Sequence, residues 1–382
     1  MSHEPLDCGQ LQLGLPGLAT VCEYRTVTTA ATSWIDVGDR VRTSRGAAGL
    51  TQTQLAERVG LQRSMVSKIE AGERGVDALE LYRLADALGV PLTHLVSRPA
   101  QAVVSRRAQA SDDVDEAGRL RYRLDIALEE HARRVGWLID GGWLTPPDHP
   151  YRHSADTPDE ARRAAQECRR LLGLDDEPLP PLTGVAESLG LYLTVVAELA
   201  DGASLSGGDG WGAAVIGAVA EPGRRRMTAA HELGHHVLGD EYSSDVGVAA
   251  SRDEREAVVQ AFATEFLVPQ DAIMARLAAV DEGDQYAALL QIAAHYRASW
   301  SMVVTTASKG TRLDVRGLRS RAPVDADFLR VVGLLPAADL PLKETGPAYR
   351  RAVLRALDAG HVTPARASEL LYDVVSTIDL EA

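Results

Sequence analysis

The chain has 382 residues, which exceeds one ordinary domain and predicts two or three. Hydrophobic residues make up 45% and charged residues 25%, as in a globular protein, and no apolar run is long enough to span a bilayer. The net charge of −14 argues against a protein that coats nucleic acid by bulk electrostatics. It still allows one small DNA-reading module with a locally basic surface.

The amino terminus lacks the basic start and apolar core of a secretory signal. The three cysteines, Cys8, Cys22 and Cys168, form no CxxC pair, which favours free thiols over a disulfide framework or a metal site. We therefore expect a cytoplasmic protein that does not associate with membranes. Residues 1–33 show no clear period and are predicted to form a loosely ordered leader.

Five short helical segments follow at close spacing, and we assign them to a domain over residues 34–98. Thr51 is the expected N-cap of the second helix, and Gln54 completes a capping box. Gly60 makes the turn to the third helix, and two short helices joined in this way form a helix-turn-helix. The predicted segments are about 35–48, 51–59, 62–70, 78–88 and a fifth that starts at Pro91.

The third of these helices is expected to expose a polar face. Side chains that can bond base edges or phosphates in a major groove are Gln62, Arg63, Ser64, Ser67 and Lys68. A helical protein-interaction module with the same fold remains the alternative interpretation of this face.

The helix pair resembles the phage-repressor-like (XRE, Cro/cI-type) helix-turn-helix family over about residues 35–97. The residues that carry the resemblance are Thr51-Gln52-x-x-Leu55-Ala56-x-x-x-Gly60-Leu61 and Val66-Ser67-x-Ile69-Glu70-x-Gly72. The resemblance implies binding of a double-stranded DNA operator, with the third helix in the major groove. It implies base contacts from Arg63, Ser64 and Lys68, and backbone contacts from Gln52 and Gln62. Because each half-site offers few contacts, a homodimer is expected.

Residues 99–150 are predicted to form a linker and a connecting helix. Acidic residues at 112–116 suit a helix N-terminus, and Leu120, Leu124, Leu128 and Val135 follow near helical spacing. This helix could join two copies or connect domains, or it could pack against its own chain, and both interpretations stay open. Trp137 and Trp143, near its end, are expected to pack in a core.

A second domain is predicted over residues 151–280. Its first elements are helices over about 158–172 and 182–189, a strand over 191–196, a turn at 207–210 and a second strand over 211–219. Because the second strand directly precedes the motif described next, its edge could pair with an extended substrate by strand addition.

The pentapeptide His231-Glu232-Leu233-Gly234-His235 reads HExxH. On a helix the two histidines lie one turn apart on one face and can bind one Zn²⁺ at about 2.0–2.1 Å. Glu232 lies beside them and can act on a water at the metal without being a ligand. The motif is short enough to arise by chance, so the prediction needs a third ligand.

A helix predicted over about 255–267 offers candidates for that ligand. Two histidines and a glutamate on a following helix form the gluzincin arrangement, which leaves a fourth position open. Glu256 shares a helix face with Val259, Gln260 and Ala263. Glu254, Glu265 and His236 are alternative ligands, unless they only form a solvated face.

The stretch over about 156–272 resembles the ImmA/IrrE family of metallopeptidases. The matching residues are Arg225-Arg226-x-Thr228-x-Ala230-His231-Glu232-x-Gly234-His235, Glu256 and Phe262-Ala263-x-x-x-Leu267-Val268-Pro269. The resemblance implies that Glu256 is the third ligand. Gln260 stands where Asn is usual, which puts local hydrogen bonding in doubt more than zinc binding. The resemblance also implies cleavage or inactivation of phage-type repressors.

Residues 281–382 are predicted to form a helical C-terminal region. The stretch 289–308 resembles another helix-turn-helix, but its few basic residues favour packing on the catalytic unit over DNA binding. Two short helices are expected over 350–372, around Gly360 and Pro364, and either capping or dimerisation would suit them.

The sequence thus predicts a mainly α protein with a small β-sheet (α+β), built from a five-helix helix-turn-helix domain, a gluzincin-like metallopeptidase domain and a helical C-terminal region. The predicted function is a transcriptional regulator whose Zn²⁺ site, with Glu232 as the catalytic base, cleaves a regulatory protein in cis or in trans, either a repressor or the chain itself. The alternative is a DNA-binding repressor whose zinc domain senses a ligand or partner without cleavage. A housekeeping protease is disfavoured by the DNA-reading helix.

Overall fold

The computed structural model describes residues 33–97, 116–148, 152–198, 201–208, 210–218, 221–239, 249–309 and 315–381. The predicted leader, apart from its last residue, and the predicted linker before residue 116 lie outside these ranges, as do residues 240–248 of the polar loop after the HExxH motif.

The described residues form 18 α-helices and three strands, which confirms the α+β class. The helices before the sheet are α1 Trp34–Ala47, α2 Gln52–Val59, α3 Arg63–Glu70, α4 Ala78–Leu88, α5 Leu92–Val96, α6 Glu116–Asp140, α7 Pro158–Leu171 and α8 Leu182–Ser188. The strands are β1 Leu191–Val196, β2 Gly202–Gly208 and β3 Trp211–Gly217. The later helices are α9 Pro222–Val237, α10 Ala249–Leu267, α11 Gln270–Ala278, α12 Gln285–Tyr296, α13 Trp300–Ser308, α14 Val315–Ser320, α15 Asp325–Val331, α16 Pro347–Asp358, α17 Pro364–Leu370 and α18 Thr377–Leu380.

Helices α1 to α5 form a unit with its own apolar core, which we call the DNA-reading unit after the role expected from the sequence. The predicted capping box is present, since the Thr51 side chain accepts from the Gln54 amide and the Gln54 side chain accepts from Thr51. Gly60 ends α2 with φ of 71°, a left-handed conformation that glycine adopts without steric cost. Pro91 is the N-cap of α5 and not its first helical residue, because its ψ of 142° is extended.

Helix α6 packs against its own chain on two sides. Leu124, Leu128 and Val135 are buried against the sheet, whereas Tyr122 and Ile126 are buried against α1 of the DNA-reading unit. Packing against its own chain is therefore confirmed, and the helix connects the two units, whereas a role in dimerisation stays a prediction. Trp137 is 40% exposed, so its predicted place in a core is wrong.

The sheet has the order β1-β3-β2, with β1 parallel and β2 antiparallel to β3. Because β3 is the central strand, its predicted role as a free edge is wrong. The outer side of β1 is covered as well, since Val195 exchanges backbone hydrogen bonds with Lys343 and Glu344. Among the described strands, only β2 leaves an outer edge open.

Alternate residues of the sheet enter two apolar cores. One face, with Leu193 and Ile216, meets helices α7 to α13, and the other, with Tyr192 and Val215, meets α6, α16 and α17. The stretch 289–308 forms α12 and α13 in the first core, so its predicted packing on the catalytic unit is confirmed. The helices expected over 350–372 are α16 and α17, and they complete the second core.

Candidate metal centre and nucleic-acid interface

The predicted DNA-contacting face of α3 lies on the surface. Gln62, Arg63, Ser64, Ser67 and Lys68 are all exposed, as the sequence pattern requires. On the opposite face Val66 and Ile69 are buried in the core of the DNA-reading unit. The segment 33–97 contains eight Lys or Arg and eight Asp or Glu residues, so it is neutral in a chain whose net charge is −14. The negative excess therefore lies outside this unit. The unit itself does not repel DNA phosphates as the rest of the chain would.

Gln52 is half-buried, and its side-chain amide donates to the Glu70 carboxylate at 2.8 Å. Glu70 is buried and also accepts two bonds from the Arg45 guanidinium, at 2.5 and 3.1 Å. These contacts tie α1, α2 and α3 together beneath the exposed face. A phosphate contact from Gln52 stays a prediction, because the described contact of its amide is internal.

Helix α9 carries the HExxH motif and is held at a fixed rotation by close contacts on two sides. Gly234 faces α10, where an added Cβ would lie 3.0 Å from the Val259 side chain. His236 faces the sheet, and its Nε2 atom lies 3.2 Å from the Leu189 carbonyl oxygen. His231 and His235, one helical turn apart, share the face of α9 that lies between these two contacts.

His231, His235 and Glu256 converge, with potential ligand atoms that all lie within 4.8 Å of one another. The two Nε2 atoms are 3.2 Å apart, and Glu256 Oε2 lies 3.1 Å from that of His231 and 4.0 Å from that of His235. Ligands at about 2.0–2.1 Å from a tetrahedral zinc ion lie roughly 3.3 Å from one another. The spacing and the two-nitrogen, one-oxygen donor set therefore fit zinc.

Glu232 is buried beside this cluster and accepts a hydrogen bond from the Ser204 hydroxyl of β2 at 2.5 Å. The bond fixes the carboxylate next to His231 and His235 on a wall that they share. A cavity of about 480 Å³ opens over these groups. Its lining includes Arg121, Leu124 and Asp125 of α6, Asp201 to Ala203 at the start of β2, Arg224, Met227, Thr228 and Gln260.

Two family models match separate parts of the chain. The model described as helix-turn-helix matches residues 41–95, and a peptidase-family model described as IrrE N-terminal-like domain matches residues 215–308. An uncharacterized HTH-type transcriptional regulator of Sinorhizobium fredii is 38% identical over 61 residues, which are 16% of this chain and 79% of that protein. The chain belongs to the XRE-type helix-turn-helix transcriptional regulators and carries an IrrE/ImmA-like domain.

A second relative of this regulator is the uncharacterized transcriptional regulator in the ATPase CF(0) region of Rhodospirillum rubrum. It is 41% identical over 61 residues, 16% of this chain, and the regulator covers 56% of its length, so the match spans about half of that protein. No solved structure matches the regulator. Within the described ranges, no helix is both long and apolar enough to cross a membrane.

The alternative ligands of the regulator lie in other surroundings. Glu265 accepts from the Gln166 side chain at 2.9 Å and from the Gln270 backbone at 3.3 Å. His236 bonds the Leu189 carbonyl on the sheet side of α9, and Glu254 lies on the exposed surface. Among the described residues, only His231, His235 and Glu256 form a group that could hold a metal ion.

Ser204 is the residue of this site that sequence reasoning missed. It lies in a run of mostly Gly, Ala and Ser with low β-propensity, so the sequence does not predict β2, and the expected turn at 207–210 overlaps the last two residues of this strand. The strand forms because it pairs with β3 over a regular antiparallel register. No local signal in the sequence connects Ser204 to Glu232, which lies 28 positions further along the chain.

Proposed function

We propose that this DNA-binding regulator is a zinc metallopeptidase that hydrolyses a peptide bond in a regulatory protein, in cis or in trans. The proposal rests on the convergence of His231, His235 and Glu256 with the buried carboxylate of Glu232 in one cavity. Glu232 is not needed to hold a metal, so its presence in the same cavity favours a reaction over binding alone.

His231, His235 and Glu256 would hold the zinc ion, and a fourth position would face the cavity. When bound, the ion supplies Lewis-acid activation of water and of the scissile carbonyl. Glu232 would take a proton from the attacking water and deliver it to the leaving amine. Ser204, which donates to Glu232, would orient the carboxylate for both transfers.

The open edge of β2 supports a way to hold the substrate. Gly202 and Ala203 line the cavity, and Ser204 follows them directly. An extended peptide that adds to this edge would place its backbone along the cavity wall, next to Glu232. The substrate would therefore add as a strand to β2 and not to the central strand β3.

DNA recognition would come from the exposed face of α3. Arg63, Ser64 and Lys68 are proposed to contact bases, Gln52 and Gln62 the phosphate backbone, and Ser67 either group. A homodimer would bring two such faces to the half-sites of one operator. The protein substrate would be a repressor or this chain itself.

The test combines metal analysis with incubation of the purified chain, as wild type and as Glu232→Gln. We expect about one zinc per chain in both proteins and zinc-dependent fragments only from the wild type. Glu256→Ala should lose the metal as well as the fragments. If both proteins bind zinc and neither yields fragments from the chain or from candidate repressors, the peptidase proposal fails and a non-proteolytic sensor is supported.

A further inference from the structure

We infer that Arg121 binds a carboxylate of the peptide in the metal cavity, so that the site selects peptides with an acidic group at a defined distance from the scissile bond. This inference rests on the proposed peptidase function and assigns it a substrate class. Arg121 lies on α6 and lines the cavity together with His231, Glu232 and Glu256.

The cavity wall contains two arginines with different surroundings. Arg224 is held by both carboxylate oxygens of Asp201, at 2.8 and 3.0 Å. The Arg121 side chain is exposed, and no hydrogen bond or ion pair joins its guanidinium to another described residue. Arg121 therefore offers the cavity a positive charge that a ligand can use, whereas the charge of Arg224 is already compensated.

The other charged groups restrict where an anionic group could lie. Asp125, Glu232 and Glu256 also line the cavity, and each would repel a second carboxylate at close range, whereas the charge of Asp201 is compensated by Arg224. Only next to Arg121 would a carboxylate gain a charge-assisted, two-point hydrogen bond from a planar guanidinium. The charged groups of the cavity thus favour an acidic group on the peptide and determine where in the cavity it would lie.

The backbone that carries Arg121 is held on both sides. Tyr122 bonds the His94 ring of the DNA-reading unit at 2.8 Å, and Leu124 and Leu128 are buried against the sheet. Because α6 cannot shift without disturbing one of these contacts, the backbone that carries the Arg121 side chain stays at a fixed distance from the metal ligands. Such a fixed distance is what positional selectivity requires.

The carboxylate could belong to an Asp or Glu side chain or to the carboxyl terminus of a peptide, and both sources can be tested by calorimetry. The probes are peptides of three kinds, each with an amino-terminal hydroxamate, which chelates zinc, and otherwise matched sequences. The first has a glutamate and an amidated end, the second a glutamine and an amidated end, and the third a glutamine and a free carboxyl end. The glutamate is placed in turn at each of three positions, and binding to the zinc-loaded full chain is measured.

We expect the glutamate peptide, at one position, or the free-carboxyl peptide to bind at least about tenfold more tightly than the neutral peptide. Arg121→Gln should abolish this preference, and Arg121→Lys, which keeps the positive charge, should restore part of it. Arg123→Gln is the matched control, because Arg123 is exposed on the same helix and does not line the cavity.

The inference is overturned if the charged and neutral peptides bind the wild type equally, if none of them binds, or if the preference survives Arg121→Gln. Equal binding of all three peptides would leave the peptidase proposal standing. If a charged peptide is preferred through Arg121 but no protein or peptide is cleaved, the peptidase proposal fails while carboxylate recognition stands.

Discussion

Gly38 lies where α1 crosses α3, the helix proposed to read DNA, and it offers a sharp test of how that helix is positioned. A Cβ atom at this glycine would overlap the Ile69 carbonyl oxygen and lie 3.0 Å from that of Glu70. Both oxygens belong to the backbone of α3 and cannot rotate away as a side chain could. Gly46, on the same helix α1, has no atom within 4 Å of the corresponding Cβ position and provides the control.

The two Gly→Ala substitutions should therefore have opposite effects. Each gains roughly 0.5–1 kcal/mol, because alanine is the better helix former. In Gly38→Ala, α1 and α3 must also separate by about 1 Å, and such overpacking costs about 1–3 kcal/mol. The net expectation is a loss of up to about 2.5 kcal/mol for Gly38→Ala and a gain of up to about 1 kcal/mol for Gly46→Ala.

Hydrogen exchange of the full chain can report this difference for the DNA-reading unit alone. If the free energy of opening that unit falls by about 1.4 kcal/mol, its backbone amides should exchange about tenfold faster. We expect faster exchange in α1 to α4 and weaker DNA binding for Gly38→Ala, with exchange unchanged or slower for Gly46→Ala. Equal exchange and equal DNA binding of the two variants would refute the claim that the α1–α3 contact at Gly38 positions the reading helix.

Three further predictions concern other parts of the chain. Asp339→Asn removes the carboxylate partner of the buried Arg226 and should lower the free energy of unfolding in urea by about 3–5 kcal/mol. Burial lowers the pKa of His131 from 6.5 to about 3, so the unfolded state binds the proton more readily between these pH values. The free energy of unfolding should therefore fall by up to about 1.4 kcal/mol per pH unit as the pH drops from 6.5 toward 3. His131→Gln should make this fall less steep in denaturation curves measured across the same pH range. Ser204→Ala removes the hydrogen bond to Glu232 and should lower kcat about tenfold at unchanged zinc content, whereas an unchanged kcat would exclude an orienting role.

Local rules of helix formation account for the elements that the sequence predicts best. Thr51 and Gln54 cap α2 as expected, and Gly60 makes the left-handed turn, because both features depend only on residues a few positions apart. The same reasoning places His231 and His235 on one face of a helix. In each case the local structure is determined by residues that are close together in the sequence.

The third candidate ligand could not be chosen by such rules. Glu254, Glu256 and Glu265 follow the motif on one helix, and the face that Glu256 shares with Val259 favours it but does not exclude the other two without the family resemblance. In the structure the choice depends on how α10 crosses α9, with Val259 against Gly234. That crossing brings Glu256 to the two histidines and directs Glu265 to Gln166. Helix crossings depend on the packing of whole surfaces, which helical periodicity alone does not contain.

Long-range pairing also explains the remaining misses. Strand β2 forms from residues of low β-propensity because β3 offers it a partner, and with it Ser204 reaches Glu232. Gln52 stays a proposed phosphate contact, but its internal hydrogen bond to Glu70, 18 positions further along the chain, is one that the motif does not predict. Such contacts form between residues that only the assembled fold brings together, so a local sequence pattern does not predict them.

The most direct test of the central claim is a map of protein amino termini in cells that express either the wild-type chain or Glu232→Gln at equal levels. The metal content of both purified proteins is measured in parallel. We predict new amino termini within a regulatory protein, or within this chain, in wild-type cells only, with zinc bound to both forms. Identical sets of amino termini, with zinc bound to both, would contradict a proteolytic role for this site.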